Sequence, residues 1–112
     1  MLVKYENKKI AGICSDKRKM VQKLGQRQSR KLIQRIKEIK ASDNLAVLST
    51  LPAPRCHQLK GKRDNQFAVD LVHPFRLIFE PHQDPMPLKA DGGFDLSKIT
   101  TILIIEVVDY HD

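Results

Sequence analysis

At 112 residues, 41% of them hydrophobic and 29% charged, the chain can bury one core but not two, so a single domain over 1–112 is expected. No apolar run approaches the ~18 residues that span a bilayer, and the first residues lack the apolar core and cleavage site of a signal peptide. A cytoplasmic protein with no membrane partner is therefore expected. Cys14 and Cys56 are too few for a disulfide framework or a zinc site, so both are expected to be reduced and structural, with no metal and no cofactor.

The net charge of +7 is unevenly spread. Residues 1–63 hold 17 of the 20 Lys and Arg against four acids (Glu6, Asp16, Glu38 and Asp43), for +13, while residues 64–112 hold three bases and nine acids, for −6. Helices gathered on one side of a sheet would then give the protein a strongly basic side. Nucleic acid or an acidic protein is its natural counterpart.

In chain order, residues 2–5 read as an opening strand, and residues 7–12 lead into a helical region. Ser15 or Asp16 caps a helix through Met20, Val21 and Leu24, which Gly25 ends. Residues 26–40 form a second helix, with Leu32, Ile36 and Ile39 on one stripe that Ile33 widens. Its other side carries Arg27, Arg30, Lys31, Arg35 and Lys37. The two helices read as an antiparallel pair with one side on the core. Ten bases lie between Lys17 and Lys40 against only Glu38. A solvated face would explain some of this charge, but i,i+4 acids to relieve it are almost missing, which favours a polyanionic partner.

Ser42-Asp43-Asn44 ends that helix or caps a short turn through Leu45 and Leu48. Pro52 and Pro54 force an extended approach to a strand near Arg55. A polar turn over 61–65 leads to a strand in which Phe67, Val69 and Leu71 alternate with polar or small residues. Val72-His73-Pro74 then turns into a strand in which Phe75, Leu77 and Phe79 alternate. Arg76 therefore faces away from the aromatic side, together with Ile78 and Glu80. Residues 81–98, with Pro81, Pro85, Pro87 and Asp91-Gly92-Gly93, read as a long proline-rich loop, expected as a tolerated surface insertion in preference to a partner contact. Residues 99–110 are a final strand, apolar on both faces and so expected to be central and covered on both sides.

The run Cys56-His57-Gln58-Leu59-Lys60-Gly61, the hairpin after it, the strand Phe75-Arg76-Leu77-Ile78-Phe79 and the terminal Glu106-Val107-Val108-Asp109-Tyr110-His111 occur in an order and spacing that resemble the toxins of the RelE/ParE superfamily. They are most similar to its HigB-like branch of host-growth-inhibition, plasmid-maintenance killer proteins. The resemblance covers nearly the whole chain, and the 81–98 loop departs from the tighter hairpin of many relatives. It implies an α+β fold, a compact twisted antiparallel sheet of four or five strands with two helices on one face and an opposite concave face open to RNA.

It also implies the toxin of a type II toxin–antitoxin pair, acting as a ribosome-dependent messenger RNA endoribonuclease. A ribose 2′-hydroxyl attacks the neighbouring phosphate without a metal, which needs a base, an acid and positive charge on the phosphate. The partners implied are a helix-turn-helix antitoxin, the ribosome with its messenger, and operator DNA only through the antitoxin complex.

Under this resemblance Arg76 stabilises the scissile phosphate, its other role being a salt bridge to Asp70 or Glu80. His57 exchanges a proton, or is simply a surface or satisfied histidine. Asp109, Tyr110 and His111 match the terminal cluster, where Tyr110 positions or stacks on a base, His111 exchanges a proton and Asp109 orients its neighbours. Strand parity would put Asp109 and His111 on one face and Tyr110 on the other unless the strand ends earlier. Lys60, Lys62 and Arg63, with Arg27, Arg30, Lys31 and Arg35, would hold an RNA backbone without reading its sequence. Two other functions share the fold. One is a non-catalytic basic regulatory partner that suppresses the killer. The other is a gyrase poison, against which His57 and Tyr110-His111 argue.

Overall fold

Residues 1–109 are described by the computed structural model. In chain order they form β1 (Leu2–Tyr5), α1 (Lys8–Ser15), α2 (Lys17–Ala41), α3 (Leu45–Thr50), β2 (His57–Gln58), β3 (Phe67–Asp70), β4 (Phe75–Pro81) and β5 (Thr101–Asp109). The fold is α+β, with the strands in one sheet of order β1-β5-β4-β3-β2 and the helices on one face.

Short polar side chains set the helix starts by accepting the first orphan N–H groups. Asn7 accepts from Ile10 at 3.0 Å, Asp16 from Arg18 at 3.0 Å and Lys19 at 3.3 Å, and Asn44 from Val47 at 3.0 Å. Asp16 caps where the sequence predicts. The helix before it, α1, is a separate element whose Ile10 and Cys14 share one buried stripe. Gly25 breaks α2 with φ 82° and ψ 168°, a left-handed φ that glycine adopts without a Cβ clash. The reversal of direction predicted at Gly25 lies instead at Asp16: α1 packs beside the first turns of α2, with the Lys19 side chain over Gly12.

From α2, Leu32, Ile36 and Ile39 pack with Leu45 and Leu48 of α3 onto Phe67, Val69, Leu77, Phe79, Ile102 and Ile104 of the sheet. Each such buried side chain contributes about 1.5–3 kcal/mol. The rings of Phe67 and Phe79 stack at 5.9 Å. Two polar clamps fix α2 against the β3–β4 hairpin. Gln28 exchanges both of its amide hydrogen bonds with the backbone of Val72, at 3.1 and 2.7 Å. Arg35 donates to the carbonyls of Asp70 at 2.6 Å and Ala53 at 3.1 Å and pairs with Glu38 at 2.8 Å.

Strands β2 to β5 form the expected antiparallel meander. β1 adds to its end in parallel with β5, with Leu2 opposite Thr101 and Tyr5 opposite Ile104, so the sheet is mixed. β5 is not the central strand that its apolar content predicts: β4 is the middle strand of the five. β5 lies between β4 and the short edge strand β1, which pairs with it only over Thr101 to Ile104, and it is not covered on both sides. Its outer apolar residues, Ile105 and Val108, pack only with a small cluster of Leu59, Ala68 and Ile78.

A register shift explains the outward set. Ile78 pairs with Glu106 but Phe79 pairs with Ile104, which leaves Ile105 as an extra residue. This bulge turns Glu106 and Val108 to the open face and Val107 to the core. The 81–98 segment is more than a tolerated excursion, because Phe94 lies 5.9 Å from the Phe67 ring and Leu96 joins the core. The segment is internally hydrogen-bonded, with Lys89 N–H donating to Gly93 at 2.7 Å and Asp95 N–H to Pro87 at 3.0 Å. Among the described residues no helix is long and apolar enough to cross a membrane.

Candidate functional site

Residues paired across neighbouring strands point to the same face, and the registers place two rows on the face away from the helices. One row runs His57, Ala68, Ile78, Glu106 and the next runs Asp70, Arg76, Val108. Ala68 and Asp70 are two residues apart on β3, so the rows lie about 7 Å apart. Arg55 joins the second row, since the Asp70 N–H donates to the Pro54 carbonyl at 2.8 Å and continues the pairing past β2. The structure thus gathers His57, Arg55, Asp70 and Arg76 on one surface, although β2 and β4 are not sheet neighbours.

Asp70 is the hub of this surface. Its carboxylate accepts from Arg55 at 2.8 and 3.1 Å and lies 3.5 Å from Nε of Arg76, so the salt bridge offered as the other role of Arg76 is present. Arg76 is only 12% exposed against 51% for Arg55. The backbone carbonyl of Asp70 is held from the helix side by Arg35. One residue therefore links the buried clamp of α2 to the arginines of the open face. Arg55 has φ 49°, a conformation that costs a non-glycine residue about 1–2 kcal/mol.

His57 sits with Nδ1 2.8 Å from the carbonyl of Arg55. A carbonyl can only accept, so Nδ1 carries a proton, and in the neutral ring Nε2 is the acceptor. That Nε2 is shielded from solvent and has no hydrogen-bond partner among the described residues. Beside it, burial pushes the Cys56 thiol up to about 11 against the lowering effect of the Ser49 hydroxyl. A thiol of that kind is no nucleophile near neutral pH.

The predicted nucleic-acid contacts divide into separate groups. Lys60 and Lys62 stand exposed in the turn before β3. Arg63 in the same turn pairs with Glu106 at 2.7 Å and with Gln66 at 2.8 Å. Arg27 and Arg30 are exposed and Lys31 half-buried on α2, which lies across the sheet from His57 and Arg76. Arg35 is corrected: it is 4% exposed and its three hydrogen bonds commit it to α2 and the hairpin, because a guanidinium this far from water must be fully partnered.

Asp109 pairs with Phe75, one step beyond the Arg76–Val108 pair, so alternation turns it from the face that holds Arg76. Tyr110 and His111 lie outside the described residues. Arg55 and Glu106 were not singled out for the site by sequence. The usable signal was parity alone, since Arg55 stands two residues before His57. Among the described residues no three of His, Cys, Asp and Glu converge to hold a metal ion. Compared with known proteins, the chain matches no family model, no curated protein and no solved structure.

Proposed function

We propose that the open face of the sheet is an RNA-cleaving surface and that the protein is a RelE/ParE-type, HigB-like toxin of a type II pair, cutting messenger RNA on ribosomes in the cytoplasm. The observation that carries this reading is the shared face of His57 and Arg76, the two motif residues best suited to proton exchange and phosphate binding. His57, with Nδ1 anchored to the Arg55 carbonyl, would act through Nε2 as the base for a ribose 2′-hydroxyl once substrate binding uncovers that shielded nitrogen. The 2′-oxygen attacks the adjacent phosphorus, the bond to the 5′-oxygen breaks, and that oxygen takes up a proton.

Arg76 supplies the charge on the phosphate oxygens. Asp70 keeps Arg55 as its partner when Arg76 turns to the phosphate, so its carboxylate is not stranded. In the motif, His111 exchanges a proton and would supply the one that the 5′-oxygen takes up, and Tyr110 positions or stacks on a base. A small helix-turn-helix antitoxin is the expected inhibitor.

A second reading is supported by two observations. The shielded Nε2 of His57 and the pairing of Arg76 with Asp70 also suit a non-catalytic binding module on the same scaffold. The test is to incubate wild type, Arg76→Ala and His57→Ala with ribosomes translating a defined message. Cleavage should leave 2′,3′-cyclic phosphate and 5′-hydroxyl ends and should fall by about a hundredfold in each variant. Intact messages at full ribosome occupancy by the wild type would leave only the binding module.

A further inference from the structure

Among the described residues Arg55 alone, glycines aside, has a positive φ, at 49°. The backbone around it is tightly held. The Ala53 carbonyl accepts from Arg35 at 3.1 Å, the Pro54 carbonyl accepts from the Asp70 N–H at 2.8 Å, and the Arg55 carbonyl lies 2.8 Å from Nδ1 of His57. The Arg55 guanidinium donates to the Asp70 carboxylate at 2.8 and 3.1 Å. Three successive carbonyls and a side chain thus fix the segment. Such over-determination is what lets an unfavourable backbone conformation persist.

The ion pair with Asp70 does not account for this conformation, because an exposed pair returns no more than a left-handed backbone costs a non-glycine residue. What the conformation delivers is a carbonyl aimed at the ring two residues on. His57 needs that contact: β2 is an edge strand of two residues, paired only with β3, and Nε2 has no partner among the described residues. Pairing so short leaves the ring to be oriented through Nδ1 alone.

We propose that Arg55 is the positioning residue of His57: its left-handed backbone turns its carbonyl onto Nδ1, which keeps the proton there and leaves Nε2 as the acceptor of the neutral ring. The step from this tautomer to message cleavage rests on the function proposed above; the tautomer itself does not.

The test compares Arg55→Gly with Arg55→Val in the full chain, labelled with ¹⁵N. Both lose the guanidinium, but only the β-branched valine opposes a positive φ. Two-bond ¹H–¹⁵N correlations of the neutral His57 ring should place the proton on Nδ1 in wild type and Arg55→Gly, and on Nε2 in most molecules of Arg55→Val. On translating ribosomes, turnover by Arg55→Val should be about tenfold below that by Arg55→Gly at an unchanged KM. A proton on Nε2 in wild type, one tautomer shared by wild type and Arg55→Val, or equal turnover by the two variants would each overturn the proposal. If the valine variant does not fold, Arg55→Ala takes its place, and the wild-type tautomer decides in either case. Intact messages with the proton on Nδ1 in wild type would remove the cleavage reading and leave the role of Arg55 standing, so the two ideas fail separately.

Discussion

The helical side and the open face of the sheet hold their arginines in opposite ways. On α2, Arg27 and Arg30 stand exposed on a helix whose acids are almost absent. On the open face Arg55 and Arg76 share Asp70, and Arg63 pairs with Glu106. Charge without nearby acids makes a field that draws in polyanions and falls with salt. Charge held by a carboxylate gives up part of that field but arrives oriented, which a reacting phosphate requires. The basic total alone does not distinguish these roles.

Arg35 tests the contrast most severely, because it is a helix base with a partner at every turn. Arg35→Ala strands the Asp70 and Ala53 carbonyls and Glu38, and urea unfolding should show a loss of about 3–5 kcal/mol. Arg27→Ala should stay within about 0.5 kcal/mol. Next comes Phe94→Ala, expected to cost about 1–2 kcal/mol because the ring is only half-buried against Phe67. A cost near zero in the same melts would return 81–98 to a passive loop.

Asp70→Asn removes the hub charge from both open-face arginines. It should cost no more than about 1 kcal/mol of stability and should tighten non-specific RNA binding several-fold at low salt, read by fluorescence anisotropy. Arg27→Gln/Arg30→Gln should do the reverse: weaker binding, with the slope of log affinity on log salt reduced by about one per lost contact. If both changes moved affinity alike, the two surfaces would not differ as described.

The smallest effect concerns the thiols. Burial raises Cys14 and Cys56 from 9.0 to about 11, so in this range the fold keeps protons that the unfolded chain releases. Their contribution is whole below pH 9 and is lost as pH rises from 9 towards 11. Cys14→Ala/Cys56→Ala should show a shallower fall in unfolding free energy across that interval than wild type.

Periodicity and capping chemistry made much of this fold legible, because both act over a few residues. Asp16 announced its cap and Gly25 a break in the helix though not the reversal expected there, and alternation around Phe67 and Phe79 predicted the inward faces and sent Arg76 outward. Local pattern failed where one residue changed the count or a partner came from afar. The extra residue Ile105 reversed the parity of Glu106, Val108 and Asp109, and no composition rule marks a bulge in an all-apolar run. Arg35 looked like any other helix base until the hairpin came to lie against it.

By itself the sequence determined the elements, the inward stripes and the imbalance of charge, since these follow from side-chain spacing along a single chain. Only the tertiary structure decided that β1 runs parallel to β5, that His57 and Arg76 share a face, and that Asp70 ties Arg35 to Arg55 and Arg76. Each of these depends on strand register or on a hydrogen bond between distant segments. Such choices are made by the packing of the whole core against α2 rather than by the residues on either side.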